Sequence, residues 1–194
     1  MSRSAHTRVA CFAVIACCSV WLSGCERPAG ELSSGLQKEG HSATISAPNQ
    51  KDLPRVAPGT LLSESNFSQT LLATGAEFVV VQVYAEACGP CITEALKLTQ
   101  LEKQWHSQGI AILGLGMDET SAGPKSFFDS TGGRVEFPLY LAPWFAKQQQ
   151  VEATPALFIY SADGEQLHRY DSKKADISAV EEISEKLAEL LAER

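Results

Sequence analysis

Two runs of apolar, mostly β-branched residues flank a helical pattern in the middle of the chain. Residues 78–85 and 110–115 are almost continuously apolar, which is typical of strands buried on both faces of a sheet. Between them, apolar residues recur every three or four positions from Pro90 to Gly109, as in an amphipathic helix. A strand, a helix and a strand in this order predict a parallel pair joined by a right-handed crossover.

The flanking segments add further strands and helices to this unit. Asp163-Gly164 predicts a hairpin turn, so the strands on either side of it should pair antiparallel. The other predicted elements are, in chain order, an edge strand at 61–62, a capped helix around 65–72, a helix within 123–133, a strand at 137–141, a short helix at 144–150, strands at 156–160 and 166–170, and a closing helix with Ile177, Val180, Ile183, Leu187 and Leu190 on one face. This order predicts an α/β fold with a central mixed sheet flanked by helices.

The N-terminus has the pattern of an export signal. Arg3 and Arg8 precede an apolar run at 9–22, which at about 14 residues is too short for a membrane span of roughly 20. The sequence Leu-Ser-Gly-Cys at 22–25 resembles the lipobox of bacterial lipoproteins, in which the chain is cut before the cysteine and a lipid is attached to its sulfur. The resemblance implies lipidation of Cys25; an uncleaved membrane anchor or a plain signal peptide is the alternative.

Cleavage before Cys25 divides the chain into three parts. Residues 1–24 are the lipoprotein signal peptide, 25–58 are a flexible tether rich in Ser, Gly, Pro, Gln and Lys, and 59–194 are the folded domain. Of the 6 cysteines, only Cys88 and Cys91 then remain as free thiols. Two cysteines three positions apart close too short a loop to serve as the disulfide framework of a small domain.

Charge and histidine placement narrow the function classes. The chain has 16 Lys and Arg against 23 Asp and Glu, a net charge of −7, whereas nucleic-acid binding needs a basic surface to neutralise phosphates. His41, His106 and His168 do not stand at metal-ligand spacing to the cysteine pair. We therefore expect neither nucleic acid nor a metal or other cofactor.

Cys88-Gly89-Pro90-Cys91 stands where the first buried strand passes into the helix. At a helix N-terminus the backbone N–H groups are unpaired and the helix dipole is positive, and both favour the thiolate form of a cysteine. Cys91 follows one helical turn later, so the two sulfurs can close and open a disulfide. We expect Cys88, at the helix tip, to attack a partner disulfide and Cys91 to resolve the mixed disulfide.

The residues around this motif resemble thioredoxin. The segment 84–91, Tyr-Ala-Glu-Ala-Cys-Gly-Pro-Cys, is similar to the thioredoxin active-site sequence, and Thr154-Pro155 before an apolar strand resembles its cis-proline segment. The resemblance implies that Pro155 follows a cis peptide bond, faces the cysteines and pairs with the substrate backbone. It also places Thr154 and Ala87 among the substrate-binding positions.

The spacing of these motifs is longer than in thioredoxin itself. An extra helix and strand lie between about 118 and 137, and Phe-Pro-Leu follows at 137–139. Both features are similar to the exported TlpA/ResA-type thiol–disulfide oxidoreductases. The resemblance covers essentially all of 59–194 and implies a thioredoxin-like fold with a helix–strand insert before the cis-proline segment.

Two positions depart from the thioredoxin pattern. Gln82 stands where thioredoxin has a buried aspartate that moves the proton of the second cysteine, and an amide cannot titrate. Water or another acid must then serve, and Glu86 is the candidate for this proton relay. Ala87 replaces a tryptophan next to the reactive cysteine, which should widen the partner groove.

These observations predict an exported, membrane-anchored thiol–disulfide oxidoreductase, acting as a reductant of envelope protein disulfides such as those of apocytochromes c. Its expected partners are disulfide-bearing proteins, a membrane electron donor of the thiol-transfer type, and the membrane itself through the lipid on Cys25. Glu26 is not the aspartate that retains enteric lipoproteins at the inner membrane, which favours a periplasmic-facing anchor in the outer membrane. We expect a monomer. The alternatives are a disulfide-installing oxidant, a non-catalytic thioredoxin-like adaptor, or a Cu(I) metallochaperone.

Overall fold

The computed structural model describes residues 57–170, 172 and 178–193. The predicted signal peptide, Cys25, the tether as far as residue 56 and Ile177 lie outside them. None of the helices within these residues is long and apolar enough to cross a membrane. In chain order the elements are α1 (Glu64–Ala73), β1 (Phe78–Tyr84), α2 (Gly89–Ser107), β2 (Ile110–Gly116), α3 (Gly123–Ser130), β3 (Leu139–Leu141), α4 (Pro143–Gln148), β4 (Ala156–Ser161), β5 (Gln166–Tyr170) and α5 (Ala179–Ala192).

The strands form one mixed sheet in the order β3-β2-β1-β4-β5. β1, β2 and β3 are parallel, whereas β4 is antiparallel to both β1 and β5. All seven positions of the central strand β1 are buried. The predicted fold, with parallel strands early and an antiparallel hairpin late, is therefore confirmed, and the predicted insert is present as α3 and β3.

Side chains of β1 alternate between two apolar layers because successive residues of a strand point to opposite faces. Phe78, Val80 and Tyr84 pack in one layer with residues of α2, α3 and α5. The valines at 79, 81 and 83 pack in the other layer with residues of α1 and α4. Burying an apolar side chain of this size contributes about 1.5–3 kcal/mol, so the helices on both faces hold β1 firmly in place.

Two glycines of β2 leave room for the ring of Tyr84. A Cβ at Gly114 would clash with Leu139 Cδ2 and lie 3.2 Å from Tyr84 Cε1, and one at Gly116 would lie 3.2 Å from Tyr84 Cζ. The Tyr84 ring stacks on Phe127 of α3, with ring centroids 4.0 Å apart. The helix of the insert is thus packed on the strand that leads into the cysteine pair.

Two predicted strands are shorter in the structure. The predicted edge strand at 61–62 is reduced to a single bridge between Leu61 and Leu141. The strand predicted from residue 137 begins only at Leu139, because Pro138 has no N–H to donate to the ladder. The Pro138 carbonyl still takes part in a hydrogen bond to β2, because it accepts from Gly114 N at 2.9 Å.

Two helices differ at their ends from the prediction. α1 begins at Glu64, and the hydroxyl of its N-cap Ser63 pairs with Ser65 Oγ at 3.0 Å instead of capping the backbone. α4 begins one residue early, at Pro143, because proline fits the first helical turn. It ends at Gln148, and the chain then turns through Gln150, whose φ is +50°.

Candidate active site

The cysteine pair forms a disulfide at the first turn of α2. Cys88 is the N-cap residue, and its Sγ accepts a hydrogen bond from Cys91 N at 3.1 Å. The Cys88 residue is 9% exposed, whereas Cys91 is completely buried. Between them, Gly89 and Pro90 are exposed at the helix tip. Cys88 is therefore the more accessible of the two cysteines, and the roles predicted for the pair stay predictions.

The Thr154-Pro155 segment faces the disulfide. Because β4 runs antiparallel to β1, the start of β4 lies at the end of β1, where the chain turns into Cys88. The peptide bond between Thr154 and Pro155 is cis, as the resemblance implied. Thr154 Oγ1 donates to Cys88 Sγ at 3.4 Å, so two donors, this hydroxyl and the Cys91 N–H, point at the same sulfur.

Open grooves lie on both sides of the cysteine motif. One is lined by residues of the 85–90 loop together with Asp118, Ser126 and Thr154. The other is lined by Pro90, Thr154 and Pro155 together with residues near the start of α5. Ala87 is exposed at the first groove, where a bulkier side chain would narrow it. Thr154 lines both grooves, so a segment bound in either one passes close to Cys88.

Gln82 lies behind the buried cysteine. Its side chain is fully buried on β1, and its Nε2 donates to the Cys91 carbonyl at 2.9 Å. Its Oε1 is buried and has no hydrogen-bond partner within the part of the chain that the structure describes. The amide ties the first turn of α2 to the central strand, but it has no proton to give or take at neutral pH.

Glu86 is half-buried in the first groove, and a second carboxylate that sequence reasoning missed lies with it. The backbone N–H of Glu86 donates to Asp118 Oδ2 at 2.7 Å. Asp118 follows the end of β2 and Glu86 the end of β1, and parallel neighbouring strands end at the same edge of a sheet. Burial, and secondarily the nearby Asp118 charge, raises the pKa of the Tyr84 hydroxyl above its usual range, so Tyr84 stays protonated.

Glu94 is a buried carboxylate one turn beyond Cys91 that the sequence reading also missed. It accepts from Lys97 Nζ at 3.1 Å, from Ser178 Oγ at 3.0 Å and from Val180 N at 3.0 Å. Its negative charge lies at the N-terminus of α5, where the helix dipole favours an anion. Glu94 therefore joins the cysteine-bearing helix to α5, and its place on the apolar face of α2 was the available signal.

The structure brings most of the predicted site residues together. The predicted nucleophile, the resolving cysteine, Gly89, Pro90, Thr154, Pro155, Ala87, Gln82 and Glu86 all lie around the first turn of α2. The predicted lipidation site, Cys25, lies outside the described residues. Within the described residues, no three or more His, Cys, Asp or Glu side chains are grouped so that they could hold a metal ion.

Comparison with known proteins shows similarity in structure but not in sequence. No protein-family model matches the chain, and no curated protein matches its sequence. An uncharacterised thioredoxin-like protein from Porphyromonas gingivalis superposes with a TM-score of 0.52 and 22% identity, covering 60% of this chain and 77% of that one. A candidate thiol:disulfide interchange protein DsbE from Chlorobium tepidum gives a TM-score of 0.50 and 19% identity, covering 61% of this chain and 81% of that one.

A solved structure whose name does not describe it as a thiol–disulfide oxidoreductase superposes equally well. AhpC from Enterococcus faecalis superposes with a TM-score of 0.52 and 18% identity, covering 63% of this chain and 80% of that one. Identities this low indicate a shared fold, and activity has to be argued from the site. Together with the sheet order and the disulfide at the start of α2, these similarities show that the chain has a thioredoxin-like fold.

Proposed function

We propose that this chain is a thiol–disulfide oxidoreductase that uses Cys88 and Cys91 as its redox couple. The observation that carries the proposal is the disulfide at the N-terminus of α2, with two hydrogen-bond donors directed at the sulfur of Cys88. Donors around a sulfur stabilise its thiolate, which is both the attacking and the leaving form in disulfide exchange. A purely structural role is a poor alternative, because a bridge across two residues restricts the unfolded chain very little.

The reaction is a two-electron exchange. In the dithiol form, the Cys88 thiolate attacks one sulfur of the substrate disulfide; a mixed disulfide forms, and the other substrate sulfur leaves as a thiolate that takes a proton. Cys91 then loses its proton and attacks Cys88 Sγ, which releases the second substrate thiol and closes the Cys88–Cys91 disulfide. The substrate gains two electrons and two protons, and a donor dithiol restores the enzyme by the reverse exchange.

The proton of Cys91 needs an acceptor, because Gln82 next to it does not titrate. The proposed acceptor remains Glu86, through water, since Glu86 is one of the residues that line the groove beside Cys88. The Thr154-Pro155 segment and Ala87 are the proposed contacts for substrate backbone. Ala87 is exposed where it lines this groove, and its small side chain supports access by a substrate segment.

The proposed direction is reduction of envelope protein disulfides, for example during cytochrome c maturation. The Gly-Pro dipeptide between the cysteines is that of thioredoxin, whose potential is about −270 mV against about −120 mV for the oxidant DsbA. The proposed location is the periplasmic side of the outer membrane, through a lipid on Cys25, with electrons supplied by a membrane donor of the thiol-transfer type. The pattern of residues 1–25 supports export.

A reduction assay and a redox titration test this function. The full chain should catalyse reduction of insulin disulfides by dithiothreitol, and its reduction potential in glutathione buffers should be about −270 mV. A potential above roughly −170 mV would favour the disulfide-installing oxidant. Absence of turnover would favour the non-catalytic adaptor.

The contact between Thr154 and Cys88 predicts a change in thiol reactivity. Replacing Thr154 by Val keeps the shape and removes the hydroxyl that donates to Cys88 Sγ. A hydrogen bond of about 1 kcal/mol to the thiolate is worth about fivefold in the ionisation constant of the thiol, so alkylation of reduced Cys88 by iodoacetamide, measured below the pKa of that thiol, should slow by about that factor. The pKa read from the pH profile of alkylation should rise.

Thr99→Val is the matched control, because the Thr99 hydroxyl bonds to the Ala95 carbonyl within α2, at 2.9 Å. It should leave the alkylation profile of Cys88 unchanged. If Thr154→Val and Thr99→Val have the same alkylation profile, the hydroxyl of Thr154 does not stabilise the thiolate.

A further inference from the structure

We infer that Arg169 is a positioning residue for the Thr154-Pro155 segment, an assignment that rests on the proposed function. Arg169 lies on β5, directly opposite Phe158 of β4, and its guanidinium lies 5.4 Å from the centroid of the Phe158 ring. From there it reaches past β4 to the segment that precedes Pro155. No feature of the sequence pattern singles out this arginine.

The guanidinium holds the end of α4 at two carbonyl groups. Arg169 Nη1 donates to the carbonyl of Gln149 at 2.6 Å, and Nη2 donates to the carbonyl of Gln150 at 3.3 Å. Carbonyl groups at a helix C-terminus lack helical partners and carry the negative end of the dipole, so a cation there is favourable. Arginine suits this task because its planar fork can reach two acceptors at once.

The turn that Arg169 contacts is one that glycine normally makes. Val151 N bonds to the Ala146 carbonyl at 2.9 Å and Gln150 N to the Lys147 carbonyl at 3.2 Å, the hydrogen-bond pattern of a Schellman C-cap. Gln150 occupies its left-handed position with φ +50°, which costs a side-chain-bearing residue energy that glycine avoids. The two bonds from Arg169 offset that cost and hold the turn in its observed form.

The same turn determines where the substrate-facing residues lie. Only 151–153 separate Gln150 from Thr154, and these residues belong to no helix or strand. Beyond Pro155 the chain enters β4, which is paired with the strand that carries Arg169. The segment is therefore held at one end by the β4–β5 ladder and at the other by the Arg169 side chain. Loosening the second attachment should displace the Thr154 hydroxyl from Cys88 Sγ.

The experiment measures alkylation of reduced Cys88 in the full chain across pH, which does not depend on turnover. Arg169→Met keeps an unbranched apolar stem and removes both donors, so alkylation measured below the pKa of the Cys88 thiol should slow by about threefold and the profile should shift to higher pH. Arg169→Lys retains the charge but has a single donor nitrogen in place of Nη1 and Nη2, and it should restore part of the loss. Lys103→Met, at an exposed position of α2, makes the same charge change and should have no effect.

A double variant separates positioning from a general loss of stability. If Arg169 acts through Thr154, adding Arg169→Met to Thr154→Val should slow alkylation no further than Thr154→Val does alone. Multiplication of the two factors, to about fifteenfold, would overturn the assignment, and so would a wild-type profile in Arg169→Met. If Arg169→Met does not fold, Arg169→Gln, which also lacks the charge and the paired guanidinium donors, is measured in the same cycle, with the same decisive outcomes.

The assignment and the proposed function can fail separately. A wild-type chain that does not reduce insulin contradicts the proposed function, whereas the alkylation cycle still decides whether Arg169 positions Thr154. Conversely, an active enzyme with independent effects at the two positions contradicts only the assignment of Arg169.

Discussion

Cys91→Ser should convert the full chain into a trap that holds its partner proteins as mixed disulfides. Cys88 can still attack a substrate disulfide, but the second displacement cannot occur without the Cys91 sulfur. Disulfide reduction should fall by at least about a thousandfold, as is typical when a catalytic nucleophile or its obligatory partner is removed. Non-reducing gels of cells expressing this variant should show adducts that disappear when dithiothreitol reduces the mixed disulfide. Mass spectrometry of those adducts would identify the substrate proteins.

Cys88→Ser is the matched control. It removes the more accessible cysteine and leaves the completely buried one, so it should be equally inactive and form no adducts, because Cys91 has no solvent access. Trapping by Cys88→Ser and not by Cys91→Ser would reverse the two roles. Absence of adducts from both variants would contradict a mixed-disulfide mechanism in the cell.

Phe127→Ala should be among the most destabilising single substitutions in the domain. Phe127 is completely buried and stacks on Tyr84, which comes just before the cysteine loop. Replacing a buried phenylalanine by alanine costs about 3–5 kcal/mol through lost burial and the cavity left behind. Urea denaturation followed by circular dichroism should show the change as a lower midpoint with an unchanged slope.

The neighbouring residue provides a close control. Phe128 is 39% exposed on the same helix, so Phe128→Ala should cost far less, on the order of 1 kcal/mol or below. Equal losses for the two variants would contradict the packing of α3 against β1. The pair thus tests the insert helix, which the pattern around residues 123–133 predicted without indicating which of the two rings faces the sheet.

The hydrophobic pattern along the sequence was enough to predict the helices and strands, and the cysteine motif could be recognised from its own four residues. A nearly continuous run of apolar, mostly β-branched residues is typical of a strand buried on both faces, so residues 78–85 predicted a central strand, which the structure has at Phe78–Tyr84. Cys88-Gly89-Pro90-Cys91 carries its chemistry in four consecutive residues, and the strand-to-helix junction is also local. The errors lie at element ends, such as Pro138 and Pro143, where a single missing N–H decides whether a residue belongs to the ladder or the helix.

Contacts between residues distant in sequence were decided only by the tertiary structure. The antiparallel placement of β4 against β1 brings Thr154 to Cys88, and the common edge of β1 and β2 brings Asp118 to Glu86. In the sequence, Glu94 is one charged residue of a helix, and only the packing of α5 against α2 gives it the Val180 N–H as a donor. Arg169 likewise is one charged residue of a strand, and only the position of the end of α4 gives it the Gln149 carbonyl as an acceptor. The physical reason is that periodicity reports which face of an element is buried, whereas these bonds depend on which other element covers that face and in what register.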